Sequence, residues 1–341
     1  MSPLSSVAAT RQVLEDHGLA AKHSLGQNFL VNDGILRKII DLAAVTDEDV
    51  VLEVGPGLGT LTIPLLKNAA RVVSVERDPD LPAVLGQTLD PWKENFALIH
   101  KDALDLTIAD LEGAGCAPTF PGGSPSKLVA NLPYAVAATV VLAYFQRFPS
   151  IDSATVMVQR EVADRMAAQP GSKNYGAYTV KLGMYAQPAG RFAVGPGNFF
   201  PPPRVESAVL RLDRRLPVDD AGIPLTPEVV AASCAMADAA FASRRKTLAN
   251  SARTAFASRG VDAGAAAEAL RQVFEEAGID PRRRGETLDQ AEFIRLGQAL
   301  IRCGGPLWDP VAGAPGGASA PDPAPAASAS APAGGADSAG E

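Results

Sequence analysis

Apolar positions follow two different periods along this chain, and the change of period divides it. Up to about residue 215, short apolar runs bounded by turn residues alternate with stretches spaced three and four apart. Val50, Val51, Leu52 and Val54 form one short run, followed by Gly55, Gly57 and Gly59 and by a helical stretch over 60–67. Further strands are predicted over 71–76, 96–101, 127–130, 153–158, 180–186 and 208–213. Helices are predicted over 5–17, 33–42, 136–148 and 159–168, and residues 171–176 read as a mobile loop. This alternation marks an α/β fold. Beyond Leu216 the pattern becomes helical, over 227–242, 263–277 and 288–300, and suits a separate all-helical domain of smaller size. After Trp308 the chain is Ala, Pro, Gly, Ser and Asp, the composition of a disordered tail. The expected division is 1–215, 216–308 and 309–341.

A buried strand, a glycine-crowded turn and a helix start together make a site for a nucleotide-like ligand, because a Cβ in the turn would hold the ligand away from the backbone. The spacing limits which ligand. A dinucleotide fingerprint wants G-x-G-x-x-G. Here the third glycine comes one residue early and Thr60 stands where that pattern has Gly or Ala, which disfavours an NAD-dependent dehydrogenase. The next predicted strand ends in Glu76, 21 positions after Gly55, where a βαβ site places an acceptor for ribose hydroxyls. Asp102 follows the third strand and is placed to accept from an adenine amino group. Asp105 and Asp110 lie nearby without a comparable position.

Asn131-Leu132-Pro133-Tyr134 closes the fourth strand. The Asn131 side-chain carbonyl can accept one hydrogen of a planar exocyclic amine, and the backbone carbonyl of Leu132 or Pro133 the other. Tyr134 offers a face for base stacking, worth about 1–3 kcal/mol. Downstream, three prolines stiffen 198–207 and are expected to present Phe199 and Phe200 outward, as a second stacking face opposite Tyr134.

Composition changes the picture little. The chain has 341 residues, 47% hydrophobic and 20% charged, with a net charge of −7, which argues against a uniformly cationic nucleic-acid binder. The bases are clustered, however, at Arg244-Arg245-Lys246, Arg282-Arg283-Arg284 and Arg214-Arg215, and local patches bind phosphates. Cys116, Cys234 and Cys303 have no metal-ligand spacing, and an odd count suits a reducing compartment. No apolar run reaches the ~18 residues of a membrane span, and no signal peptide is visible. A cytoplasmic, metal-free monomer is expected.

Glu53-x-Gly55-x-Gly57-x-Gly59 resembles the first motif of S-adenosylmethionine-dependent methyltransferases. Together with Gly26-Gln27-Asn28-Phe29-Leu30, the Asn131–Tyr134 tetrapeptide, Phe199-Phe200-Pro201-Pro202-Pro203-Arg204-Val205-Glu206-Ser207 and the basic motif from Phe241 to Ser251, it resembles the ribosomal RNA adenine dimethyltransferase family over roughly 28–297. The segment 107–126 is longer than usual for that family. The resemblance implies a Rossmann-like S-adenosylmethionine-dependent methyltransferase sheet followed by a helical RNA-binding domain. It implies dimethylation of the 6-amino groups of two adjacent adenosines in the 3′-terminal hairpin of small-subunit rRNA, within the pre-ribosomal small subunit. Asn28 and Leu30 would close over the cofactor. Gly55 and Gly57 would lie against it, with Gly55 at its aminoacyl part, Glu76 at the ribose and Asp102 at the adenine. Asn131 would bridge the methionine side and the target amine, with Leu132, Pro133, Tyr134 and Phe199 completing the catalytic pocket. Arg244, Arg245 and Lys246 would contact RNA. The rivals are a large-subunit rRNA adenine methyltransferase giving antibiotic resistance and a non-enzymatic RNA-binding assembly factor of the same fold.

Overall fold

The computed structural model describes residues 2–22, 25–116 and 123–309. The expected tail, apart from Asp309, and residues 117–122 of the long central segment lie outside the described residues. In chain order the elements are α1 (Val7–Asp16), β1 (Phe29–Leu30), α2 (Asp33–Ala43), β2 (Val50–Val54), α3 (Thr62–Leu66), β3 (Arg71–Glu76), α4 (Leu81–Thr88), β4 (Phe96–His100), α5 (Ile108–Gly113), β5 (Lys127–Asn131), α6 (Ala137–Arg147), β6 (Ser153–Gln159), α7 (Arg160–Met166), α8 (Ala177–Gly183), β7 (Ala186–Val194), β8 (Phe199–Phe200), β9 (Ser207–Arg214), α9 (Pro227–Phe241), α10 (Leu248–Ser258), α11 (Ala263–Ala277) and α12 (Gln290–Cys303).

Seven strands form one sheet in the order β4-β3-β2-β5-β6-β9-β7. The first five are parallel, and β9 joins antiparallel to both β6 and β7. β2 is buried along its whole length. Its residues divide between two cores: Val50, Leu52 and Val54 meet α6 on one face, and Val51 meets α2 and α3 on the other. Burial on both faces is why this strand reads as a continuous apolar run. From β2 the chain steps outward to β3 and β4, then returns to β5 on the opposite side of β2. The crevice at the carboxyl ends of β2 and β5 is therefore the topological switch point, where open α/β sheets bind ligands.

A third core gathers residues of α9, α10, α11 and α12. It also takes Tyr175, Val180 and Met184, which precede β7 in the chain. Here the structure corrects the strand expected over 180–186. That segment is the end of α8, a turn at Met184 and Tyr185, and the first residue of β7. Val180 and Met184, four apart, face the helical core, while Tyr178 and Leu182, also four apart, face the sheet core. A helix buried on two faces shows a two-residue alternation at 180, 182 and 184 that imitates a strand. β7 is hidden from the apolar pattern because Pro188 lies inside it. It is the edge strand, with an irregularity between Pro188 and Gly190, which is where proline is tolerated in a sheet.

Three further expectations change. The loop 171–176 is fastened to the helical half: Gly171 N–H donates to the Glu286 carbonyl at 2.7 Å and Arg244 to the Ser172 carbonyl at 3.2 Å. Phe199 does not face outward. It is 3% exposed and pairs with Leu30 in a two-stranded sheet of β1 and β8. Arg214 is no phosphate ligand in waiting, since its guanidinium donates to the carbonyls of Phe145, Phe148 and Ile151 and closes the end of α6.

Candidate cofactor and catalytic site

The turn after β2 depends on two backbone positions that L side chains rarely adopt: Gly55 has φ 68° and Gly57 has φ 59°. A Cβ on Gly57 would come 3.2 Å from the Phe29 ring, and one on Gly55 would face Pro133 and the Asn131 carbonyl at 3.8 and 3.9 Å. The turn is thus pressed between the leading loop and the end of β5, and glycine keeps the space open. The cavity above it is lined by Leu25 to Leu30, Glu53, Gly55 to Gly57, Thr60, Leu61, Glu76, Leu81 and Asn131 to Tyr134.

The structure therefore brings Asn28, Leu30, Gly55, Gly57, Glu76, Asn131, Leu132, Pro133 and Tyr134 to one cavity. It leaves Asp102 and Phe199 outside the lining. The Asp102 carboxylate accepts from Leu104 N–H at 3.0 Å and pairs with Arg77 at 3.1 Å. This pair is solvent-exposed and therefore weak. Phe199 is set back in the core beneath β1.

Glu76 ends β3 and is 8% exposed. Its Oε1 accepts from the backbone N–H groups of Arg77 and Asp78, both at 2.8 Å. Burial raises its pKa against the opposing effect of these bonds and one from the Gly57 N–H. The bonds fix the carboxylate from behind. Asn131, at the end of β5, donates Nδ2–H to the Asn28 carbonyl at 3.2 Å. That bond selects one orientation of the amide and leaves Oδ1 as its accepting end. The Tyr134 hydroxyl meets Ser207 Oγ at 2.7 Å, and burial holds its pKa above the usual phenol value.

Two polar lining residues, Glu53 and Thr60, are given no ligand contact in the sequence reading. Glu53 is 1% exposed. Its Oε2 accepts from Thr62 and Ser74 hydroxyls, each at 2.7 Å, and burial pushes its pKa up to about 7, with Glu76 adding to the effect. An acid in the middle of an otherwise apolar strand is the signal that could have found it. Thr60 Oγ1 is buried without a hydrogen-bond partner among the described residues. Buried hydroxyls are normally satisfied, so this atom, in the wall of the cavity, fits a polar ligand group. A glycine cradle, an orphan hydroxyl and a carboxylate at the end of β3 fit S-adenosylmethionine.

In the helical half, Arg244, Arg245 and Lys246 occupy the turn between α9 and α10 rather than a helix face. Arg244 pairs with Glu286 at 3.0 Å. Arg245 and Lys246 are exposed, and their side chains make no ion pair or hydrogen bond among the described residues. Of the second cluster, Arg282 pairs with Asp280 and Arg283 with Glu292, while Arg284 is exposed.

Sheet order, switch point and site chemistry define an S-adenosylmethionine-dependent methyltransferase of Rossmann-like architecture. A family model described as ribosomal RNA adenine dimethylase matches residues 18–295. The chain belongs to that family, and it is an rRNA adenine dimethyltransferase. It is 44% identical over 293 residues to the ribosomal RNA small subunit methyltransferase A of Rhodococcus opacus (strain B4), covering 85% of this chain and 92% of the relative. It is 38% identical over 298 residues to the protein of the same name from Geobacillus thermodenitrificans (strain NG80-2), covering 87% and 97%. Among solved structures, a dimethyladenosine transferase from Plasmodium falciparum shares the fold with a TM-score of 0.64 at 23% identity, covering 81% of this chain and 98% of that one.

Proposed function

We propose that this enzyme dimethylates the 6-amino groups of two adjacent adenosines in the 3′-terminal hairpin of small-subunit (16S) rRNA, acting on the pre-ribosomal small subunit as a cytoplasmic monomer. Among the described residues no helix is long and apolar enough to cross a membrane, and no cluster of His, Cys, Asp and Glu could hold a metal ion. The relatives carrying the small-subunit name match nearly full length, which favours this substrate over large-subunit rRNA. A cavity that gathers Asn28, Leu30, Gly55, Gly57, Glu76 and Asn131 disfavours an assembly factor without activity.

The observation that carries the chemistry is the amide of Asn131, oriented by the Asn28 carbonyl at the rim of the glycine turn. When bound, the cofactor supplies a methyl group activated by a sulfonium centre. Glu76 would hold the ribose, Gly55, Gly57 and Thr60 the aminoacyl part, and Asp102 the adenine edge. The adenine amine of the RNA is a poor nucleophile because its lone pair is delocalised into the ring. Asn131 Oδ1 and a backbone carbonyl of Leu132 or Pro133 accept its two hydrogens and favour a pyramidal nitrogen. Tyr134 stacks on the base, which must leave its own stack to reach the site. Positioning supplies much of the acceleration, up to ~7–11 kcal/mol in the best intramolecular cases. No residue is assigned as general base. The amine becomes acidic once methylated and releases its proton to water.

Residues 1–215 form the catalytic domain in this reading and residues 216–308 the RNA-binding domain, with α8 shared between them. Arg244, Arg245 and Lys246 contact RNA phosphates, Arg245 and Lys246 most directly. The test is transfer of tritium from labelled S-adenosylmethionine to immature small subunits, followed by mapping of the label. Label in two adjacent adenines of the 3′-terminal hairpin is expected. Label confined to large subunits, or none, overturns the proposal.

A further inference from the structure

The turn that carries Glu76 also holds a carboxylate outside the cavity lining. Asp78 is 2% exposed. Its Oδ1 accepts from Lys22 Nζ at 2.5 Å and from Asp80 N–H at 3.1 Å. Its Oδ2 accepts from Gln27 Nε2 at 2.7 Å. Burial alone would raise its pKa, but the bonds from Lys22, Asp80 and Gln27 outweigh it and keep the carboxyl below its usual range. Gln27 is held at both ends, because its Oε1 accepts from Lys22 N–H at 2.9 Å.

The two residues after Gln27 bear on the reaction. The carbonyl of Asn28 is the acceptor that orients the Asn131 amide. The ring of Phe29 lies over Gly57. A primary amide turned through half a rotation would present donors to the target amine, whose own hydrogens are donors. Only a fixed acceptor beside Nδ2 keeps Oδ1 directed toward that amine. Asp78 is the buried charge that fixes the residue adjoining that acceptor.

We propose that Asp78 is a positioning residue for methyl transfer. Through Gln27 and Lys22 it fixes residues 26–28, and the Asn28 carbonyl then fixes the Asn131 amide. The inference rests on the reading of Asn131 as the group that faces the target amine.

Asp78→Asn is nearly isosteric but sets an amide donor against Gln27 Nε2 and removes the charge facing Lys22. Small misplacements at a reacting centre cost up to ~100-fold, so kcat at saturating cofactor should fall about tenfold to a hundredfold, with the KM for RNA within about twofold. Adding Gln27→Glu reverses donor and acceptor across the same contact and should return kcat to within about threefold of wild type. An unchanged kcat in Asp78→Asn, or no recovery in the double variant, overturns the inference. If Asp78→Asn does not fold, Gln27→Leu takes its place in the full-length enzyme, and an unchanged kcat there overturns it equally. Asn131→Ala is assayed beside them. Wild-type turnover in that variant removes the Asn131 reading and the route through Asn28 with it. An inactive Asn131→Ala with an unimpaired Asp78→Asn removes only the role given to Asp78.

Discussion

The cofactor cavity and the basic turn of the helical half are built on opposite principles. In the cavity the two carboxylates are buried and fixed, and the amide of Asn131 is held in one orientation. Glu76 is bound from behind by backbone N–H groups, Glu53 by two hydroxyls, and Asn131 by one carbonyl. In the basic turn the side chains of Arg245 and Lys246 are exposed and make no ion pair or hydrogen bond among the described residues, and the cation that is attached, Arg244, is engaged within the protein. A small ligand of fixed shape is recognised by groups that cannot move. A phosphate backbone is recognised by groups that are free to follow it. Substitutions in the first region should therefore act steeply and one residue at a time, and in the second gradually and in sum.

The steepest effect is expected at Asn131. Its replacement by Ala removes the acceptor that the proposed mechanism turns toward the amine and leaves the basic turn untouched. Loss of one fixed hydrogen-bonding group at a reacting centre costs on the order of 10²–10³-fold in rate. Single-turnover methyl transfer should drop by that amount while RNA affinity stays unchanged. Equal losses in both would erase the contrast between the two regions.

Glu53 sharpens the comparison through pH. Its pKa is about 7 in the folded protein, above the ordinary carboxyl value near 4.3. The folded state therefore binds the proton more tightly than the unfolded state. This contribution to stability is present at low pH and is lost as pH rises from about 4.5 to 7. Glu53→Gln cannot ionise. Its unfolding free energy relative to wild type should rise by about 2–3 kcal/mol between pH 5 and pH 8. Denaturant melts at the two pH values measure this, and a pH-independent difference would mean that the buried carboxylate is not strained by ionisation.

Glu76→Ala removes one charged hydrogen-bond acceptor. Such bonds contribute roughly 1.5–3 kcal/mol, about ten- to a hundredfold in affinity. Calorimetry with S-adenosylmethionine should show that loss. An unchanged dissociation constant would take Glu76 out of the site.

The same contrast explains what can be read from the sequence. The glycine turn, Glu76 and Asn131 are legible because each is fixed by short-range spacing at a strand end. The inner parallel strands β2, β3 and β6 are legible because burial on both faces leaves a nearly continuous apolar run. α8 is not, because a helix wedged between two cores alternates like a strand at Val180, Leu182 and Met184. Phe199 reads as outward because its partner in β1, Leu30, is distant in the chain. Asp78 is silent in the sequence for the same reason, since Lys22 and Gln27 lie more than 50 residues away. Nor does the basic run show in its letters that Arg244 is tied to Glu286 while its two neighbours have no side-chain partner among the described residues.

That last distinction sets the smallest expected effect. Each phosphate contact releases condensed counterions, and the slope of log affinity against log salt falls by ~0.7–0.9 for every phosphate that is no longer neutralised. Replacing all three residues of the run with Ala would flatten the slope by up to ~2–3 units if all three touched phosphate. Arg244 already lies against Glu286 at 3.0 Å and the Ser172 carbonyl at 3.2 Å, so most of the change should come from Arg245 and Lys246. The double replacement Arg245→Ala with Lys246→Ala should therefore flatten the slope by about 1.4–1.8. Arg244→Ala alone should leave the slope nearly unaltered, and should instead loosen the loop at 171–176, visible as faster amide exchange there. Cofactor affinity should stay constant in every one of these variants, because the cavity draws no residue from this turn. Binding to immature small subunits across a salt series decides the matter. An equal share of the slope lost at each of the three positions would show that the Glu286 pair opens to let Arg244 reach the RNA. No loss at any of them would show that the turn is a solvated surface.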